Sequence, residues 1–246
     1  MTFRYLALAL ALSVSAHAQS SPPAQPLPDD PGTTSQVKPP VTPTGPIVVI
    51  DTTMGRLTCK LFDKEAPITV ANFIGLTEGT KDWTDDKTLQ KVHNKPYYNG
   101  TTFHRVIPGF MIQGGDRVGD GTGDPGYFFQ DEIDPELAFD VPGRLAMANS
   151  GAGIGGQGTN GSQFFITEAP NAELDGNYTI FGQCDPDTVQ LVATIARVPR
   201  DANDKPQSPV TIRRVTIVRE GQPMPPSRPT KAPSSSSSSR RTRPRP

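Results

Sequence analysis

The sequence predicts a mainly β domain: a closed, mainly antiparallel sheet with helices at its openings. Three observations lead there. Seven or eight short apolar or alternating runs recur between residues 47 and 221, set off by Gly, Pro, Asn and Asp. Only two segments space their apolar residues as a helix does. Strands and helices follow no repeated alternation, which argues against a doubly wound parallel sheet.

The flanks separate from this domain by composition. The chain has 246 residues and a net charge of −1, with 34% apolar and 20% charged residues. Near-neutrality excludes a global electrostatic drive towards nucleic acid or membrane. Sixteen of the 27 prolines lie in residues 22–46 and 223–246. Residues 1–18 read as a secretory signal: Arg4, then an apolar run from Leu6 to Val14, then Ala16-His17-Ala18 as a small-x-small cleavage site. The run is short for a bilayer span. The mature protein is therefore expected outside the cytoplasm, periplasmic in a Gram-negative cell or secreted. Residues 19–46 form a proline-rich disordered linker, with few large apolar groups to offset the entropy of ordering. Residues 222–246 form a disordered basic tail with Arg228, Lys231, Arg240, Arg241, Arg243 and Arg245, no acid and a run of six serines. A solvated tail is the first reading, and contact with nucleic acid or an anionic surface the lesser one. Residues 47–221 remain, about 175 residues and enough for one core.

The domain opens at Ile47-Val48-Val49-Ile50. Leu57, Cys59 and Leu61 alternate with Thr58 and Lys60, and Met54-Gly55 lies between the two runs, which makes a hairpin. Pro67 opens a helix where a missing N–H does no harm, Val70, Phe73, Ile74 and Thr77 follow helical spacing, and Gly79 ends it. Residues 80–95, with the single Trp83, read as a loop or insertion. Around Pro108-Gly109 two short strands meet in a tight turn, since proline pre-sets one turn position and glycine tolerates positive φ at the next. That turn brings Arg105, Phe110, Met111 and Gln113 towards one patch of sheet: one cation, one amide and an apolar floor. Such a patch suits a small, partly apolar ligand with a carbonyl to hold.

Asp116, Asp120 and Asp124 match no calcium loop, so the 119–126 segment reads as turns. The glycine-rich loop 151–158 is not a phosphate loop, because no Gly-Lys-Ser/Thr is present and a strand follows it. Asp187 can cap a second helix carrying Val189, Val192 and Ile195. The closing strand, Val210 to Ile217, shifts phase at Arg213-Arg214, as a bulge would make it. Cys59 and Cys184 lie in apolar, strand-like contexts. Two buried thiols are the default, export permits a disulfide, and the residues alone leave the pairing open. No metal site or cofactor is expected, and His104 has no serine or acid partner for a hydrolytic triad.

Phe103-His104-Arg105-Val106-Ile107-Pro108-Gly109-Phe110-Met111-Ile112-Gln113-Gly114-Gly115-Asp116 resembles the signature of the cyclophilins. Thr159-Asn160-Gly161-Ser162-Gln163-Phe164-Phe165-Ile166 resembles their second signature, with Met147-Ala148-Asn149 and Leu174-Asp175-Gly176 in the expected order. The resemblance covers about residues 47–220 and extends to exported (periplasmic) bacterial members. It implies a closed eight-stranded β-barrel capped by two helices, and peptidyl-prolyl cis-trans isomerase activity on proline-containing polypeptides, by a monomer. It further implies that Arg105 is catalytic and that Phe110, Met111, Phe165 and Leu174 line the proline pocket. Gln113 would bond the substrate backbone, Asn149 would pair with residues before the proline through its main chain, and Ala148 and Ser150 would flank the groove. Gln163 would help position Arg105. Tyr178 stands where eukaryotic members have histidine and keeps an aromatic wall. Glu173 stands where they have tryptophan, and the lost indole N–H leaves cyclosporin sensitivity open. Help in folding exported proteins is the expected role. A groove used without turnover, as a peptide-binding module or holdase, is the alternative.

Overall fold

The computed structural model describes residues 40–227 apart from 154, 155 and 157. The expected leader over 1–18, the expected linker as far as residue 39 and the expected tail from 228 lie outside the described residues.

Two strands, β1 (Ile47–Thr52) and β2 (Arg56–Leu61), form the expected hairpin. Helix α1 (Pro67–Glu78) starts on its proline and stops at Gly79, whose φ of 78° is the left-handed value that glycine takes without strain. No side chain of its own caps α1. Glu132 does so from across the fold, its carboxylate accepting the N–H groups of Ile68 at 3.0 Å and Thr69 at 2.7 Å.

The 80–95 segment is not wholly a loop. It holds a two-stranded ribbon, β3 (Trp83–Thr84) with β4 (Lys91–Val92). Burial of Trp83 explains it: the ring packs edge-on against Tyr97 at 5.1 Å and Nε1 donates to Lys95 O at 3.0 Å. There follow β5 (Arg105–Ile107), β6 (Met111–Gly114), β7 (Arg144–Met147), β8 (Phe164–Thr167) and β9 (Ile180–Cys184). Helix α2 (Pro186–Ala196) begins earlier than expected. Asp185, not Asp187, is the cap, accepting Thr188 N at 2.7 Å, because Pro186 takes the first helical position. Last comes β10 (Ile212–Val218), with the expected bulge: Asp51 faces Arg214 and Thr52 faces Ile212, which leaves Arg213 unpaired.

The main sheet runs β10-β1-β2-β9-β7-β8-β6-β5, and each pairing is antiparallel. It curls strongly into a half-barrel and not into the closed barrel expected. Among the described residues, edge strands β5 and β10 share no ladder. One isolated bridge, Thr102 to Thr211, and bonds such as Phe103 N to Val210 O at 3.0 Å join the segment before β5 to the start of β10. The cause is length: β5 has three residues before Pro108 ends it, against seven in β10.

Period-two alternation gives the sheet two apolar layers. Val48, Ile50, Leu57, Leu61, Val106 and Ile112 point inwards and are fully buried beneath α1 and α2. Met111, Ala146, Phe165 and Ile180 point outwards and pack with Phe62, Leu137, Phe139 and Leu174. Cys59 and Cys184 are not free thiols. They are register partners on β2 and β9, joined by a disulfide, and a separation of 125 residues hid that adjacency. The ordered chain also exceeds the expected domain limits. Gly45 N bonds Leu61 O at 3.0 Å, Val41 packs on the outer layer, and Arg56 donates to the carbonyls of Pro225 and Pro226 at 2.7 and 2.9 Å.

Candidate active site

Register builds the site. Arg105 faces Gln113 across β5 and β6, Gln113 faces Phe165 across β6 and β8, and Phe165 faces Ala146 across β8 and β7. Directly opposed residues share a face, so cation, amide and aromatic ring form one row on the outer side of the sheet. The Pro108-Gly109 turn closes this hairpin through Phe110 N to Ile107 O at 3.1 Å, with Gly109 at a φ of 73°. Glu168 clamps the turn. Its Oε2 accepts Gly109 N and its own N–H donates to Phe110 O, both at 2.8 Å.

A cavity of about 140 Å³ lies over the row, lined by Arg105, Phe110, Met111, Gln113, Ala148, Asn149, Phe165, Leu174 and Tyr178. Nine of the eleven residues expected in the site therefore meet in one place. Met111 and Phe165, 2% and 5% exposed, make the floor. Phe139 stacks under Phe165 at 5.8 Å and 14°, and Tyr178 meets it edge-on at 5.5 Å and 89°. Those two contacts fix the plane of the ring on which an apolar ligand would rest. Arg105 is exposed, and no hydrogen bond or ion pair of its guanidinium occurs among the described residues.

The other two expected residues, Ser150 and Gln163, lie outside this cavity. They line a neighbouring one of about 160 Å³, with Thr122, Phe128 and Thr159. Gln163, expected to help position Arg105, bonds Gln113, which faces Arg105. Its Oε1 accepts Gln113 Nε2 at 3.0 Å, and its own Nε2 donates to the carbonyls of Gly121 and Gly123 at 2.9 Å. It thus holds Gln113 and ties the 119–124 loop to the sheet. That loop is built on Asp116, whose carboxylate accepts the N–H groups of Val118, Asp120 and Gly121. Asp116 is a turn-former here, and the described residues hold no group of three or more His, Cys, Asp or Glu arranged for a metal.

Asn149 uses its side chain to fix itself, donating to Asp131 Oδ1 at 3.2 Å and to Asn177 O at 3.0 Å. Its main-chain N–H and C=O take no partner among the described residues, so they stand open along the groove. Asp131 Oδ1 also accepts Asn160 Nδ2 at 2.8 Å and the Thr179 hydroxyl at 3.1 Å. Asp131, Phe139 and Glu168 are the residues that sequence reasoning missed. They sit in irregular or strand-end segments, and only the fold shows what they touch.

His104, beside Arg105, points the other way. It is 5% exposed, neither ring nitrogen has a hydrogen-bond partner among the described residues, and burial holds its pKa below the ordinary 6.5. It is a neutral core residue and touches neither Arg105's cavity nor a nucleophile.

The family model described as "Cyclophilin type peptidyl-prolyl cis-trans isomerase/CLD" matches residues 47–217. Among curated relatives, peptidyl-prolyl cis-trans isomerase A of Mycobacterium tuberculosis is 48% identical over 169 residues, covering 68% of this chain and 90% of that one. Peptidyl-prolyl cis-trans isomerase B of Streptomyces anulatus is 45% identical over 170 residues, covering 68% and 94%. Among solved structures, a Cryptosporidium parvum cyclophilin-type isomerase superposes with a TM-score of 0.59 at 36% identity, covering 71% of this chain and 98% of that one. A structure of the same protein, solved in the presence of the dipeptide Ala-Pro, gives 0.57 at 36% identity over 70% and 98%.

Proposed function

This chain belongs to the cyclophilin-type peptidyl-prolyl cis-trans isomerases, and we propose that it turns X–Pro bonds over in the cavity beside Arg105, on exported polypeptides. The single observation that carries the site is the row Arg105, Gln113, Phe165 on one face of three neighbouring strands.

An X–Pro bond isomerises slowly because amide resonance must be broken, over a barrier of about 18–20 kcal/mol. No bond is made to the protein, so no nucleophile is needed. The proline ring sits on Phe165 and Met111 between Phe110, Leu174 and Tyr178, which removes water from it. The open N–H and C=O of Asn149 pair with the chain before the proline, and Gln113 bonds the substrate backbone. As the amide twists, its nitrogen turns pyramidal and gains a lone pair. Arg105, free of competing partners among the described residues, donates to that lone pair. The planar ground state offers no such acceptor, so the interaction favours the transition state selectively. Lowering the barrier by about 7 kcal/mol gives roughly a 10⁵-fold acceleration.

The exported setting is supported by the signal-like residues 1–18 and by the Cys59–Cys184 disulfide, a bond that persists in oxidising compartments. Catalysis of a proline-limited refolding reaction tests the activity. The chain should abolish the slow phase at substoichiometric amounts, whereas stoichiometric slowing or no effect would instead support a holdase.

A further inference from the structure

We propose that Glu168 and Arg197 form a positioning pair that ties Phe110, one wall of the proline cavity, to helix α2 and so sets the affinity for the proline ring. The inference rests on the cavity beside Arg105 being the proline site.

Phe110 is the aromatic wall that other rings do not hold. Phe165 is fixed by Phe139 and Tyr178. Phe110 lines the same cavity but is only half-buried, and it makes no ring contact among the described residues. It ends the Pro108-Gly109 turn, directly before β6. The direction of its ring therefore follows from the backbone of that turn.

Glu168 restrains that backbone from both sides. Met111 faces Thr167 across β6 and β8, and one step beyond, Glu168 N donates to Phe110 O at 2.8 Å. The Glu168 carboxylate turns back and accepts Gly109 N, also at 2.8 Å. The two bonds bracket Gly109 and Phe110. Gly109, at a φ of 73°, is the residue with the freedom to let the turn swing. A bond from its N–H to a carboxylate is stronger than one to a neutral oxygen and takes that freedom away.

The carboxylate has its own mount. Its Oε1 pairs with Arg197 Nη1 at 2.7 Å, and the side chain of Glu168 is 11% exposed against 55% for Arg197. The same nitrogen donates to Ala193 O at 2.7 Å, in the last turn of α2, where a helix end favours a cation. That turn is rooted in the core, since Val192, Ile195 and Ala196 are fully buried. The path thus runs from the core through α2 to Arg197, Glu168, Gly109 and Phe110. It ends on the apolar wall and not on Arg105, so it acts on binding of the ring and not on the twisting amide.

The test is the isomerisation kinetics of a short X–Pro peptide on the full chain. Glu168→Ala should raise KM about fivefold, the equivalent of one hydrogen bond, with kcat unaltered. Arg197→Ala, at an exposed position that folding tolerates, should raise it about twofold, as for a surface ion pair. The double variant should be no worse than Glu168→Ala, because Arg197 acts only through Glu168. Glu168→Gln keeps an acceptor for Gly109 and should restore most of the affinity. In a Phe110→Ala background, Glu168→Ala should change nothing further. Ring resonances of Phe110 should shift in both Glu168→Ala and Arg197→Ala. An unchanged KM in folded Glu168→Ala, a fall in kcat in its place, or the same rise in KM with and without the Phe110 ring would each overturn the inference. If Arg105→Ala abolishes turnover while Glu168→Ala keeps the KM of the parent, the positioning fails and the site stands. If Arg105→Ala stays fully active, the site itself is wrong and the positioning falls with it.

Discussion

Gln113 donates its side-chain amide to Gln163 Oε1 at 3.0 Å, and Gln163 in turn donates to two loop carbonyls. This chain of bonds sets the direction of the amide that faces Arg105 across the hairpin. Gln163→Ala should leave the fold intact and let Gln113 swing. We expect kcat/KM to fall about tenfold, the equivalent of one lost hydrogen bond of roughly 1.4 kcal/mol. A peptide isomerisation assay checks it, with circular dichroism confirming the fold.

Asp131 fixes Asn149, Asn160 and Thr179 with one carboxylate oxygen. Asp131→Ala should lower both stability, by about 2 kcal/mol as three donors lose their acceptor, and activity, because Asn149 loses its anchor. Asp131→Asn keeps an acceptor oxygen and should retain most of both. Urea melts beside the isomerisation assay separate the two effects.

Reducing the Cys59–Cys184 bond should cost about 4 kcal/mol, the usual magnitude for a long closed loop. Equilibrium unfolding with and without reductant measures this. Activity in the native buffer should be unchanged, since the bond joins β2 and β9, away from Arg105.

His104 gives a pH dependence of definite sign. Burial lowers its pKa below 6.5 in the folded chain, so at lower pH the unfolded chain binds the extra proton first. Its contribution to stability is full above pH 6.5 and is lost as pH falls from there to the folded value. His104→Gln should flatten the fall in unfolding midpoint between pH 7.5 and 5. An unchanged slope would mean that other groups carry it.

Much of the site was legible because two long motifs fall on strands. The turn brought Arg105 and Gln113 to one patch before any coordinates, and the family resemblance added Phe165; the β5–β6 and β6–β8 registers then put all three in one row. The turn at Pro108-Gly109 was equally readable, since its chemistry is local. What the sequence hid is non-local. Glu132 caps α1 from more than sixty residues away, Cys184 meets Cys59 only through the β2–β9 register, and Asp131 and Phe139 support the groove from stretches without periodicity. Closure of the sheet was overestimated because strand count says nothing of edge length. The three residues of β5 are too few to pair β10.

The most direct test is the isomerisation rate of a short X–Pro peptide with Arg105 intact, replaced by lysine and replaced by alanine. Arg105 is exposed and takes no side-chain partner among the described residues, so neither change should disturb folding. We expect Arg105→Ala to lower kcat/KM by about 10²–10³, the usual cost of removing one donor aimed at the transition state. Arg105→Lys should fall between, since it keeps the charge and loses the planar fork. A folded Arg105→Ala protein with undiminished kcat/KM would contradict the account.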